Sequence, residues 1–299
     1  MNSTFADKLI VAVSSRALFD LTESNRVYEE QGIKSYSKHQ IAHEDEPLQP
    51  GVAHSLVKKL LALNKYGDYV EIILISRNSA DTGLRIFNSI EHDDLDISRA
   101  AFTSGRDPYQ YAKAFHAHLF LSANAEDVES ALKAGCAAAH IYAKNPKAKT
   151  SNQLRVAFDG DAVLFSDESE QIYHEQGLEA FIDHEKKLAK KPMSAGPFRK
   201  FLSALQKLQS KLPSGDKTPI RTALITARSA PTHERVIRTF RAWQLRIDES
   251  VFLGGLQKGE FLRAFGADIY FDDQLDHCKN SQSAATCHVP HGVKNQKSP

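Results

Sequence analysis

The residues best suited to chemistry in this chain are four aspartates, a threonine and a lysine, placed in order along its second half. Asp159-Gly160-Asp161 closes the apolar run LRVAF, Thr226-Ala227-Arg228 closes IRTALIT, Lys258 lies within LGGLQKGEFLRAF, and Asp272-Asp273 close ADIYF. Clustered carboxylates are hard oxygen ligands for a divalent cation, and one of them can act as a nucleophile. A hydroxyl, backbone N–H groups and an ammonium beside them would receive negative charge on an anionic substrate. Gly160 lets the backbone turn tightly and come close to a ligand. A lone D-x-D is an ordinary turn sequence, so the weight falls on the ordered set.

These residues need a frame to bring them together. The β-branched runs LIVAV, VEIILIS, AHLFLS, LRVAFD, IRTALIT and ADIYFD alternate with amphipathic stretches, which predicts a parallel sheet covered by helices. Each reactive aspartate then falls on a loop at the carboxyl end of a strand, where open α/β sheets bind their ligands.

The runs come in two sets of three. LIVAVSSRALFD lies over LRVAFDGDAVLFSD at an offset of 145 residues, which carries Gly32 onto Gly177, Gly51 onto Gly196 and Leu60 onto Leu205; beyond PSGDKTP the offset becomes 150, placing Ile75 on Ile225, Arg85 on Arg235 and Phe115 on Phe265. So long a period predicts a duplicated domain, with lobes over 1–145 and 151–292, joined through AKNPKAKTSNQ and followed by a flexible tail over 293–299. The first copy has Ser14 for Asp159, Arg16 for Asp161, Ser76 for Thr226, Pro108 for Lys258 and Ser122-Ala123 for Asp272-Asp273. A copy that keeps the strand frames while dispensing with the carboxylates and the lysine assigns those residues to chemistry, not folding. The degenerate first lobe is expected to support the second or to bind an effector.

Bulk composition narrows the function classes. With 38 Lys and Arg against 37 Asp and Glu, the 299 residues carry a formal charge of +1, which excludes a broad basic field for nucleic acid or anionic lipid. Leu9 to Val13 is too short an apolar run to span a bilayer, and Cys136, Cys278 and Cys287 form no disulfide framework, so a cytoplasmic protein without membrane partners is expected. A homo-oligomer stays open. His277, Cys278, Cys287, His288 and His291 match no familiar zinc spacing, and the runs HEDE (43–46) and HEKKLAKK (184–191) read as solvated helix faces.

The ordered set resembles the four motifs of the haloacid-dehalogenase superfamily. AVSSRALFD, AFDGDAVLFSDESE, LITARSA, YFDDQ and HVPHGV look, over nearly the whole chain, like the cytosolic 5′-nucleotidase type I family. The resemblance implies a Rossmann-like parallel sheet with a helical cap inserted at about 166–219. It further implies Mg²⁺ held by Asp159, the backbone carbonyl of Asp161 and Asp272, with Asp273 as a further ligand or support. Asp159 would be the nucleophile that forms an aspartyl phosphate. Asp161 would be the general acid and base, for which its surroundings must raise the pKa of about 3.9 of a free aspartate. Thr226 and the backbone of Ala227 would bind phosphoryl oxygens, Lys258 would offset developing charge, and Gly160 and Arg228 would border the substrate, although a surface or capping role suits Arg228 equally. The implied reaction is hydrolysis of nucleoside 5′-monophosphates, AMP foremost, to nucleoside and phosphate. The same residues suit a phosphatase or phosphotransferase acting on another phosphomonoester, and a non-catalytic nucleotide sensor is the alternative from a different class. Dehalogenation needs neither the cation nor a second aspartate. Tyr173, Phe181, Phe198 and Phe201 in the insertion could stack a base, but their near-helical spacing is more typical of a core.

Overall fold

Each apolar run singled out above forms a strand in the computed structural model, which describes residues 5, 7–142, 151, 153–280 and 285–296. The chain divides into two compact units, Met1–Ile141 and Tyr142–Pro299. The expected linker lies mostly outside the described residues.

The strands are β1 (Leu9–Ser14), β2 (Val70–Ser76), β3 (Arg99–Phe102), β4 (Leu119–Ser122) and β5 (Ala138–Tyr142), followed by β6 (Leu154–Phe158), β7 (Ile220–Thr226), β8 (Glu249–Phe252), β9 (Ile269–Asp272) and β10 (Ala285–His288). In the first unit they run in the order β3-β2-β1-β4-β5, and in the second in the order β8-β7-β6-β9-β10. Paired neighbours within each unit are parallel, as strands joined by helical crossovers must be. This is the α/β, Rossmann-like layout expected from the sequence.

The central strands are buried on both faces, which is why VEIILIS and IRTALIT are nearly continuous apolar runs and do not alternate. β3 and β8 are only half buried and carry Arg99 and Glu249, so their sequences give a weaker strand signal. In the second unit the chain proceeds from β6 outward to β7 and β8, then crosses to β9 on the other side of β6. β6 and β9 therefore flank a topological switch point, and Phe158 pairs with Phe271 in register immediately before Asp159 and Asp272.

The stretch at 166–219 contains two helices of different character. Glu168–Lys187 is interrupted at Gly177 (φ 84°) and faces solvent over most of its length. Arg199–Gln209 turns Phe201, Leu202, Leu205 and Leu208 into the core, where Phe201 meets Phe158 and Phe271. Of the four aromatics, Phe198 and Phe201 are thus core, whereas Tyr173 is 48% exposed and packs edge-on against Phe181. No described helix is long and apolar enough to cross a membrane. Of the expected tail, Val293–Asn295 form a single turn anchored by side-chain bonds, while 297–299 lie outside the described residues.

Candidate active site

The reactive residues converge because three strands end together. Asp159 follows β6, Thr226 ends β7 and Asp272 ends β9, while Lys258 opens the helix Gly259–Phe265. The backbone carries the frame past the strand ends: Asp159 N–H donates to the Phe271 carbonyl at 2.8 Å and Val289 N–H to that of Asp272 at 2.9 Å. The chain then makes a tight turn over Gly160–Leu164, with Ala162 at φ 58°. A Cβ on Gly160 would lie 3.3 Å from the Thr226 hydroxyl oxygen, so the glycine keeps that close approach free.

Lys258 Nζ stands 3.0 Å from Asp159 Oδ2 and 2.7 Å from Asp272 Oδ2, all three side chains being buried. Asp272 also accepts from the Tyr270 hydroxyl and, at 2.7 Å, from the Gln274 N–H; His277 Nδ1 lies 3.1 Å away. Asp159, Asp272 and Asp273 each present a carboxylate oxygen, and these oxygens lie within 4.8 Å of one another. Among the described residues this is the one group of His, Cys, Asp and Glu that could hold a metal ion; the histidines and cysteines near the end of the chain form no such group.

Burial pushes Asp159 up to about 6, against the pull of Lys258 and with the charge of Asp272 adding to the rise. Asp273 is driven up to about 10 by burial and by the charges of Asp159, Glu170 and Asp272. Burial acts on Asp272 in the same sense, but Lys258 and His277 outweigh it and hold that group well below the usual carboxylate range. The ammonium of Lys258 thus pairs with two of these three buried carboxylates, and Asp273 Oδ2 has no hydrogen-bond partner. An all-oxygen donor set with surplus negative charge and an unsatisfied oxygen fits a hard divalent cation such as Mg²⁺.

The carboxylate of Asp161 lies outside that trio. It accepts a two-pronged bond from Arg228, Nε to Oδ2 and Nη2 to Oδ1, each at 2.7 Å, so the group that grips it is a cation and not the proton-retaining surroundings expected from the sequence. Arg228 is 4% exposed, so the surface role considered from sequence does not hold. Its guanidinium also pairs with Glu185, lies 5.2 Å from the centroid of the Phe181 ring and touches the Met193 sulfur. Glu185 in turn accepts from Arg235 at 2.7 Å and from the Ser169 hydroxyl at 2.8 Å. Reading 184–191 as a solvated face was wrong at this residue: Glu185 is 1% exposed, because two arginines from a distant segment close over it.

Thr226 is buried and its hydroxyl accepts the Arg228 N–H at 3.3 Å; Ala227 beside it is exposed. Sequence reasoning gave no site role to Glu185, Tyr270, His277 or the final turn. There, Asn295 Nδ2 donates to the Asp273 carbonyl at 2.9 Å, His288 Nε2 lies 2.9 Å from that same carbonyl oxygen, and Lys294 pairs with Glu170 at 2.8 Å. Of this last group, only His288 falls within the string HVPHGV; Lys294 and Asn295 follow it.

A family model described as 5′-nucleotidase matches residues 1–296. A human protein, cytosolic 5′-nucleotidase 1B, is 39% identical over 287 residues, which cover 92% of this chain and 47% of that protein. The chain thus spans about half the length of this curated relative. No solved structure matches it.

Proposed function

Given that the chain belongs to the 5′-nucleotidase family, we propose that it hydrolyses nucleoside 5′-monophosphates, AMP foremost, to nucleoside and phosphate in the cytoplasm. The observation that carries this reading is the buried trio Asp159, Asp272 and Asp273 at one sheet edge, with Lys258 bridging the first two. A Mg²⁺ held by the carboxylates of Asp159 and Asp272 and the backbone carbonyl of Asp161, with Asp273 alongside, would neutralise the approach of an anionic substrate to these anions.

Asp159 attacks phosphorus through a carboxylate oxygen. The P–O bond to the 5′-oxygen breaks, and that oxygen takes a proton from Asp161, one oxygen of which must exchange its Arg228 bond for that proton, leaving an aspartyl phosphate and free nucleoside. Asp161, now ionised, accepts a proton from water as the water oxygen attacks the same phosphorus. Phosphate departs and both carboxyl groups return to their starting states. Lys258, driven well above its ordinary range by Asp159 and Asp272 against the effect of burial, stays charged throughout and faces the charge that develops on the phosphoryl oxygens. Thr226 supplies a hydroxyl and Ala227 a backbone N–H to those oxygens, and Gly160 leaves the room they need.

The test is phosphate release from a panel of nucleoside monophosphates and sugar phosphates, with Mg²⁺ present or chelated and with or without a nucleoside acceptor. Mg²⁺-dependent release from AMP is expected. Preference for sugar phosphates, or transfer to the acceptor in place of release, would replace the substrate or the reaction while retaining the same residues. Absence of release from every ester would remove the enzymatic reading.

A further inference from the structure

We infer that Glu185, on the solvent-facing helix Glu168–Lys187, is a positioning residue for the reaction: it anchors Arg228 so that Arg228 can hold the carboxylate of Asp161. The inference rests on the proposed reading of Asp161 as the proton donor and acceptor. Arg228 has two faces in use. One guanidinium nitrogen pairs with Glu185, and the opposite edge presents Nε and Nη2 as a fork to both oxygens of Asp161. A planar fork that grips one carboxylate fixes the rotamer of the other. Glu185 is itself fixed, by Arg235 at 2.7 Å and Ser169 at 2.8 Å. Through Arg228, Glu185 thus reaches the carboxylate of Asp161.

The first unit shows that a negative charge is not what this corner of the fold requires. At the corresponding positions Gln40 stands for Glu185, Asn78 for Arg228, Arg16 for Asp161 and Tyr36 for Phe181, whereas Ser24 and Arg85 keep the types of Ser169 and Arg235. The serine still donates to the residue at the corner, Ser24 Oγ to Gln40 Oε1 at 3.1 Å, and the arginine does too, Arg85 Nη1 at 3.2 Å. Gln40 is 1% exposed, as Glu185 is. A neutral amide thus fills the corresponding corner with the same two kinds of donor, the arginine being half-buried at Arg85 and buried at Arg235. The carboxylate appears where an arginine must be held against an aspartate, and is absent where that pair is missing.

The experiment compares Glu185→Gln, Arg228→Gln and the double variant, using kcat and KM for AMP together with thermal melting. Glu185→Gln is expected to fold with a lowered melting temperature, because buried Arg235 loses its carboxylate partner, to lose kcat by about tenfold or more with KM little changed, and to cause no further loss of kcat when Arg228→Gln is already present. A kcat within about twofold of the parent, or losses that multiply in the double variant, would overturn the inference, since the second result would mean that Glu185 acts through Arg235 or the fold. Glu185→Asp, which keeps the charge but shortens its reach, should show the same loss of kcat. If neither Glu185 variant folds, the carboxylate supports the fold and the inference is overturned. Asp161→Asn separates this from failure of the underlying reading. An active Asp161→Asn removes the role of Asp161 itself, whereas an inactive Asp161→Asn beside a fully active Glu185→Gln removes only the anchoring.

Discussion

The ammonium of Lys258 sits 3.0 Å from the Asp159 carboxylate while also pairing with Asp272, so one cation restrains two of the three acids at the sheet edge. Removing it leaves buried like charges facing each other. Lys258→Met should lower kcat for AMP by about 10²–10³-fold. It should also destabilise the cation-free protein by about 3–5 kcal/mol, because unpaired buried charge remains. Melting with and without Mg²⁺ checks the second part: part of the loss should return when the cation is supplied.

Asp159→Asn should abolish phosphate release with the melting temperature retained, since an amide lacks the anionic oxygen that bonds to phosphorus. Incorporation of label from radioactive phosphate ester into acid-quenched protein, sensitive to hydroxylamine, should vanish with it. Undiminished release would remove Asp159 as nucleophile.

The pH dependence has a definite sign. Asp159 must be ionised to attack, and burial pushes its carboxyl up to about 6, so kcat/KM should fall as pH drops through that region. A cation competes with the proton for the same oxygen, so more Mg²⁺ should move the acid limb to lower pH. Profiles at two Mg²⁺ concentrations test this; a limb that stays put would disconnect the carboxyl from the cation.

Cation binding should also appear as stability without turnover. A ligand bound only by the folded state at about 100 times its Kd contributes about 2.7 kcal/mol. Mg²⁺ should therefore raise the melting temperature, and Asp273→Asn should shrink that rise while making the cation-free protein more stable, because a crowded buried carboxyl with an unpaired oxygen is gone. A full Mg²⁺ response in Asp273→Asn would place this residue outside the ion's reach.

Gly196→Ala should destabilise the second unit by at least about 1–3 kcal/mol, the usual cost of overpacking. The added Cβ would lie 2.3 Å from the Phe165 carbonyl oxygen and 2.4 Å from that of Val163, both backbone atoms that cannot rotate aside. Gly51, 145 residues earlier, faces the same restriction at 2.7 Å from the Ala17 carbonyl oxygen. A denaturant melt of each variant measures the cost.

Strand runs, their parallel order and the placement of Asp159, Thr226 and Asp272 at strand ends were legible from sequence, because strand burial is written locally as continuous apolar residues. Lys258 and Asp273 were legible from their order along the chain. The identities of the partners were not. Glu185 sits in a string of charges indistinguishable from a solvated face; its burial is decided by Arg228 and Arg235, which lie 43 and 50 residues further on and reach it only after the chain has crossed the sheet. Arg228 read equally well as bordering the substrate or as a surface or capping residue for the same reason, and Asn295 as part of a loose tail until its amide met the Asp273 carbonyl. Hydrophobic burial leaves a periodic trace in the sequence, whereas a buried ion pair depends on where distant segments meet, and the folded chain alone determines that.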